Sequence, residues 1–133
     1  MVPRADRAEL TAIFAGGFVG AVLRYGLAES LPAEPGAWPW ATLVENVVGT
    51  AMLGYFATRL SGTPATSACR RPFLATGLCG ALTTFSTLQL ELLRMLDRSE
   101  YGLAGTYVVA SLAAGFAVVF VATKLVRRVR PRG

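Results

Sequence analysis

The 133-residue chain contains no histidine and only two cysteines, Cys69 and Cys79. Without imidazole, and without paired thiols at ligand spacing, a zinc or other soft-metal centre has no donor set. The cysteines read as inert small residues, one beside a loop and one inside an apolar run, with no disulfide expected. Charge is also scarce, at 16% of residues, where a soluble domain carries about 25%. No nucleophile stands beside a base, and no phosphate-binding loop or low-complexity segment occurs, so the chain does not read as an enzyme.

What is abundant is apolar sequence, 53% of residues. Four stretches, Leu10–Leu27, Trp40–Leu60, Phe73–Leu93 and Tyr101–Leu125, are long enough to cross ~30 Å of hydrocarbon at ~1.5 Å per residue. They predict an all-α membrane protein, a single transmembrane domain over residues 1–133 with four spanning helices. Four short helices are too thin to enclose a pathway, so an oligomer is expected. The first span begins like a signal peptide, but Arg24 interrupts its later part and three more spans follow; it reads as a retained helix. Ser30–Pro39, with three prolines and a glycine, reads as an outer turn with Trp38 and Trp40 at the interface. Ser61–Pro72 reads as a basic cytoplasmic loop, and Asp97–Glu100 as a tight outer turn.

The net charge of +5 follows membrane topology. Arg4, Arg7, Arg59, Arg70, Arg71, Lys124, Arg127, Arg128, Arg130 and Arg132 fall on one side of a four-span arrangement. Only Arg94 and Arg98 fall on the other, and Arg24 lies within a span. The positive-inside rule then places both termini in the cytoplasm of a plasma-membrane protein. The basic tail reads as an anchor on anionic membrane lipid, with no nucleic-acid partner.

Polar residues inside the spans are expensive and mark function. The third span holds GALTTFSTLQLE (Gly80–Glu91), with four hydroxyls around Phe85 and a carboxylate at Glu91. Thr84, Thr87, Leu88 and Glu91 share one helical face. Gly16 and Gly20, with Arg24 a turn further, line the first helix. Thr42, Asn46, Thr50 and Gly54 form an i, i+4 stripe on the second, and Tyr107, Ser111 and Gly115 on the fourth. Small residues permit close helix packing, but Arg24 and Asn46 need polar partners in a membrane. Glu45, beside Asn46, needs a partner or water and has no role in this reading. Hydroxyls, a carboxamide N–H and the positive edge of an aromatic ring are weak anion partners, as conduction requires.

The segments GGFVGAVLRY (Gly16–Tyr25), ATLVENVVGTAMLG (Ala41–Gly54) and GLCGALTTFSTLQLE (Gly77–Glu91), with Tyr107, Ser111 and Gly115, resemble the Fluc/CrcB family of fluoride channels. The likeness covers essentially the whole chain in order and spacing. It implies an antiparallel, dual-topology dimer of four-helix subunits, with fluoride pathways at the interface. It also implies a third helix broken near its middle, with the backbone carbonyls of Gly80 and Thr83 holding a structural, untransported Na+. The same resemblance assigns Asn46, Phe85, Thr87, Ser111, Tyr107 and Glu91 to the fluoride pathway or its vestibule. Arg24 becomes an anion-attracting or interface residue. The family's second phenylalanine is Leu88 here, which keeps bulk but lacks the aromatic edge.

The charge bias of ten against two predicts insertion in one orientation and pairing with a paralogue of opposite bias. Two rival readings are a small proton-coupled multidrug exporter built around Glu45 and a non-conducting partner subunit of a heterodimeric channel. The first rival is weakened by the absence of an acid in the middle of the first span. The second draws on Leu88.

Overall fold

A computed structural model describes residues 4–61 and 68–129, with side chains from residue 7 onward. The side chain of Arg4, the tail residues Arg130 and Arg132, and much of the Ser61–Pro72 loop lie outside the described residues. Helix α1 spans Arg4–Ser30 and α2 spans Trp40–Arg59. Helix α3 is a π-helical stretch, Pro72–Cys79, continued by one α-helical turn, Gly80–Leu82. Helix α4 covers Phe85–Asp97 and α5 covers Tyr101–Val129. The described residues contain no strand.

Each helix end has a local cause. Ser30 Oγ donates to Gly26 O at 2.7 Å, closing the last turn of α1. Pro32, Pro35 and Pro39, which supply no backbone N–H, prevent continuation. Helix α4 stops in a Schellman turn. Glu100 N donates to Met95 O at 2.8 Å and Ser99 N to Leu96 O at 2.9 Å. Ser99 takes the left-handed conformation there, φ 60°, at the position that usually holds glycine.

Glycines set the helix contacts. A Cβ added at Gly16 would strike Phe73 O, one at Gly20 would strike Leu78 O, and one at Gly77 would lie 2.5 Å from Ile13 O. The backbones of α1 and α3 therefore touch, as small residues allow in membrane helices. Trp38 packs edge-on against Tyr107, ring centroids 5.8 Å apart, just before α2. Further along, Gly54 meets Val119 and Ala122. Helices α2 and α5 thus run parallel, while α2 runs antiparallel to the α3–α4 segment, with Gly49 against Thr83 and Thr42 against Glu91.

One buried cluster joins Leu88, Met95, Ala104 and Tyr107, flanked by Trp38, Leu43, Leu92 and Leu103. Large apolar side chains face outward instead, including Phe14 and Phe116, 77% and 74% exposed. Such a surface would be an aggregation hazard in water and is ordinary in lipid. Among the described residues, three stretches are long and apolar enough to cross a membrane: Arg7–Ser30, Pro72–Asp97 and Tyr101–Val129. Helix α2 has the length, 20 residues, but Glu45, Asn46 and Arg59 make it the more polar neighbour.

Candidate functional site

Between α3 and α4 the chain leaves the helix for two residues. Thr83 has φ −80°, ψ 146° and Thr84 has φ −144°, ψ 114°. Their geometry is held from outside by Asn46 on α2. Thr84 N donates to Asn46 Oδ1 at 2.7 Å, and Asn46 Nδ2 donates to Thr84 O at 3.2 Å. One carboxamide therefore satisfies both main-chain groups of an extended residue at membrane depth, where lipid offers no substitute. In a continuous helix the Thr84 N–H would close on the carbonyl of Gly80. Here it is turned to Asn46.

The second half of the break is closed by the side chain of Thr84, the N-cap of α4. Its Oγ1 accepts from Thr87 N at 3.2 Å and donates to Thr87 Oγ1 at 2.9 Å, as N-cap threonines do. Thr87 N–H is the helical partner that Thr83 C=O would otherwise have. Both carbonyls singled out by sequence, Gly80 and Thr83, thus lose their i+4 amides to side chains of this chain. A Cβ built on Gly80 meets nothing within 4 Å, so this glycine faces open space. Thr83 is half-buried, and its hydroxyl turns back to Cys79 O at 3.0 Å.

A family model described as "CrcB-like protein, Camphor Resistance (CrcB)" matches residues 11–123. The chain belongs to the CrcB family. Among CrcB relatives, the "Fluoride-specific ion channel FluC 1" of Mycolicibacterium paratuberculosis is 51% identical over 127 residues, 96% of both chains. The protein of the same name from Mycobacterium bovis is 49% identical over 131 residues, 98% of this chain and 99% of its own. A "Fluoride-specific ion channel FluC" from Chlorobaculum tepidum is 37% identical over 113 residues, 85% of this chain and 90% of its own. With its three apolar helices, this CrcB chain is a multi-pass membrane protein.

Further polar residues of the CrcB chain meet around Glu91. Glu91 accepts from Thr42 Oγ1 at 2.6 Å and from Tyr107 Oη at 2.7 Å, one donor on each carboxylate oxygen. Tyr107 is completely buried, and its partner explains how a phenol is tolerated there. Next to this triad is a cavity of about 310 Å³, with Arg24, Thr42, Glu45, Thr87 and Glu91 in its lining. Glu45 is 2% exposed, and its Oε1 is without a hydrogen-bond partner. Ser111 Oγ is likewise buried and unpartnered.

Several sequence-selected residues occupy positions that their type alone did not reveal. Thr84 precedes α4 instead of sharing its helical face, although its hydroxyl still meets Thr87. Asn46 has its carboxamide engaged by the Thr84 backbone. Phe85, the first residue of α4, is 71% exposed, whereas Leu88 is 8% exposed and part of the core beside Tyr107. Thr42 was visible only as a member of a small-residue stripe; its contact lies 49 positions away at Glu91.

Proposed function

We propose that this chain is a subunit of a passive fluoride channel that lets cytoplasmic fluoride leave the cell. The observation that carries the reading is the break at Thr83–Thr84, clamped by Asn46, in a chain whose full-length relatives bear the name of fluoride channels. Hydrogen fluoride crosses membranes uncharged and ionises in a more neutral cytoplasm. A channel returns the trapped anion down its electrochemical gradient, aided by an inside-negative potential. The relatives' name supports this reading over an exporter, and a channel has no need of catalytic groups.

The fluoride path runs past Asn46, Phe85, Thr87 and Ser111, with Tyr107 and Glu91 at its vestibule and Arg24 drawing anions toward it. The unpartnered Ser111 hydroxyl and the exposed ring of Phe85 support this assignment, because each offers a positive edge or O–H to a dehydrating anion. The carbonyls of Gly80 and Thr83, deprived of their helical amides, fit a small hard cation, and Na+ bound there neutralises dipoles that lipid would leave unpaired. Four spans, α1, α2, α3 with α4, and α5, cross the plasma membrane as one domain, with both termini cytoplasmic. Exposed Phe85 and open Gly80 support burial against a second subunit in an antiparallel dimer. The lopsided charge favours a paralogue as that partner. Coexpression with a paralogue should yield heterodimers, and a functional antiparallel homodimer from this chain alone would remove the paralogue from the proposal.

Fluoride efflux from liposomes carrying the purified chain, alone and with its paralogue, tests the reading. Efflux above that of empty liposomes is expected; efflux equal to it in both preparations refutes the proposal.

A further inference from the structure

Away from the break, a groove lies along the C-terminal halves of α2 and α5. Gly54 holds them together at mid-length, where an added Cβ would come within 3.2 Å of Val119 Cγ2 and 3.3 Å of Ala122 Cβ. Beside that contact lies the groove, of about 600 Å³, whose walls include Met52, Tyr55, Phe56, Leu125 and Val129, with Arg59 as its one charged residue among the described residues. Tyr55 and Phe56 meet edge to face, centroids 5.4 Å apart, giving the α2 wall a stiff aromatic corner.

We propose that this groove binds one anionic glycerophospholipid, an acyl chain lying between α2 and α5 and the phosphate meeting Arg59. Charge complementarity selects this occupant. Arg59 ends α2 and is exposed, whereas Arg127 of α5 lines a separate groove with Phe116 and Lys124. Among the described residues no carboxylate is in the lining. A guanidinium pairs with phosphate in a bidentate manner that an ammonium cannot match. Basic side chains at a helix end are positioned for the headgroup level, where anionic lipid is worth ~1 kcal/mol per Lys or Arg. An uncharged apolar ligand would make no use of Arg59, and free phosphate none of the apolar walls; a phospholipid uses both.

The test reads bound lipid, so it stands or falls apart from fluoride conduction. Native mass spectrometry of the purified full chain would be run with added phosphatidylglycerol or phosphatidylcholine of identical acyl chains. Retention of one phosphatidylglycerol at about fivefold lower concentration than phosphatidylcholine is expected, the ratio that ~1 kcal/mol gives. Arg59→Gln should bring the two lipids level, while Arg98→Gln, on the other helix pair, should change nothing. Ala51→Leu, which fills the groove from α2, should weaken both lipids; helical circular dichroism checks that each variant folds. Equal retention of the two lipids by the unaltered chain, or an unchanged ratio in Arg59→Gln, overturns the proposal. So does inorganic phosphate binding with the same Arg59 dependence and no effect of Ala51→Leu. A groove variant that alters subunit number instead of lipid retention also overturns it, assigning the groove to a second chain.

Discussion

Replacing Asn46 by leucine removes the clamp while keeping the branched shape of the side chain. Thr84 is 5% exposed, so its N–H and C=O cannot turn to water once the carboxamide is gone. An unsatisfied buried group costs about 1–3 kcal/mol, whereas an interhelical hydrogen bond between membrane helices averages only about 0.6 kcal/mol. Burial decides between these figures. The N–H, bonded at 2.7 Å, is lost at the larger cost, and the longer 3.2 Å bond at the smaller. The expected total is about 2–4 kcal/mol. Thr84→Ala provides the comparison: it removes the cap on Thr87 but leaves the clamp on the main chain, for about 1 kcal/mol. Reversible unfolding in mixed micelles measures both, and hydrogen exchange locates them. Exchange of the Thr84 amide should accelerate roughly 30- to 1,000-fold in Asn46→Leu, and far less in Thr84→Ala. Equal costs for the two substitutions, or a cost below about 1 kcal/mol for Asn46→Leu, would refute the claim that Asn46 maintains the break.

Ser99→Gly should stabilise the protein by about 1 kcal/mol, since glycine avoids the left-handed penalty at φ 60°; a lower thermal midpoint would contradict the Schellman assignment. Tyr107→Phe deletes the donor to Glu91 Oε2 and should cost about 1–3 kcal/mol, with fluoride efflux reduced as well. Its combination with Thr42→Val should be non-additive, because both donors serve one carboxylate. Leu88→Phe places extra volume in the core instead of on an exposed face, and should destabilise by about 1–3 kcal/mol. Unchanged stability with raised efflux would instead place residue 88 on the ion's route.

The helices were legible because membrane spans advertise themselves through long apolar runs, and because Pro39 and Pro72 mark helix starts plainly. The polar residues were legible as a set for the same reason: hydroxyls and amides stand out against lipid-compatible sequence. Their pairing was not. Asn46 and Thr84 are 38 positions apart, and nothing local distinguishes a carboxamide that grips backbone from one that meets an ion. Glu91 with Thr42 and Tyr107 has the same character. Leu88 shows a further limit, since the i, i+3 relation to Phe85 does not tell which of the two turns inward. The turn at Asp97–Glu100 was legible, but the left-handed Ser99 within it was not, because the position lacks the glycine that usually signals it.

The clamp also separates two kinds of variation. Asn46 recognises amide and carbonyl, which every non-proline residue carries, so it is indifferent to what side chain stands at position 84. The hydroxyl cluster around Thr84 and Thr87 can therefore drift in sequence while the kink survives. A single substitution at 46 would collapse the geometry for every version of that cluster. Within such a lineage, tolerance at 84 and intolerance at 46 are two expressions of one architecture.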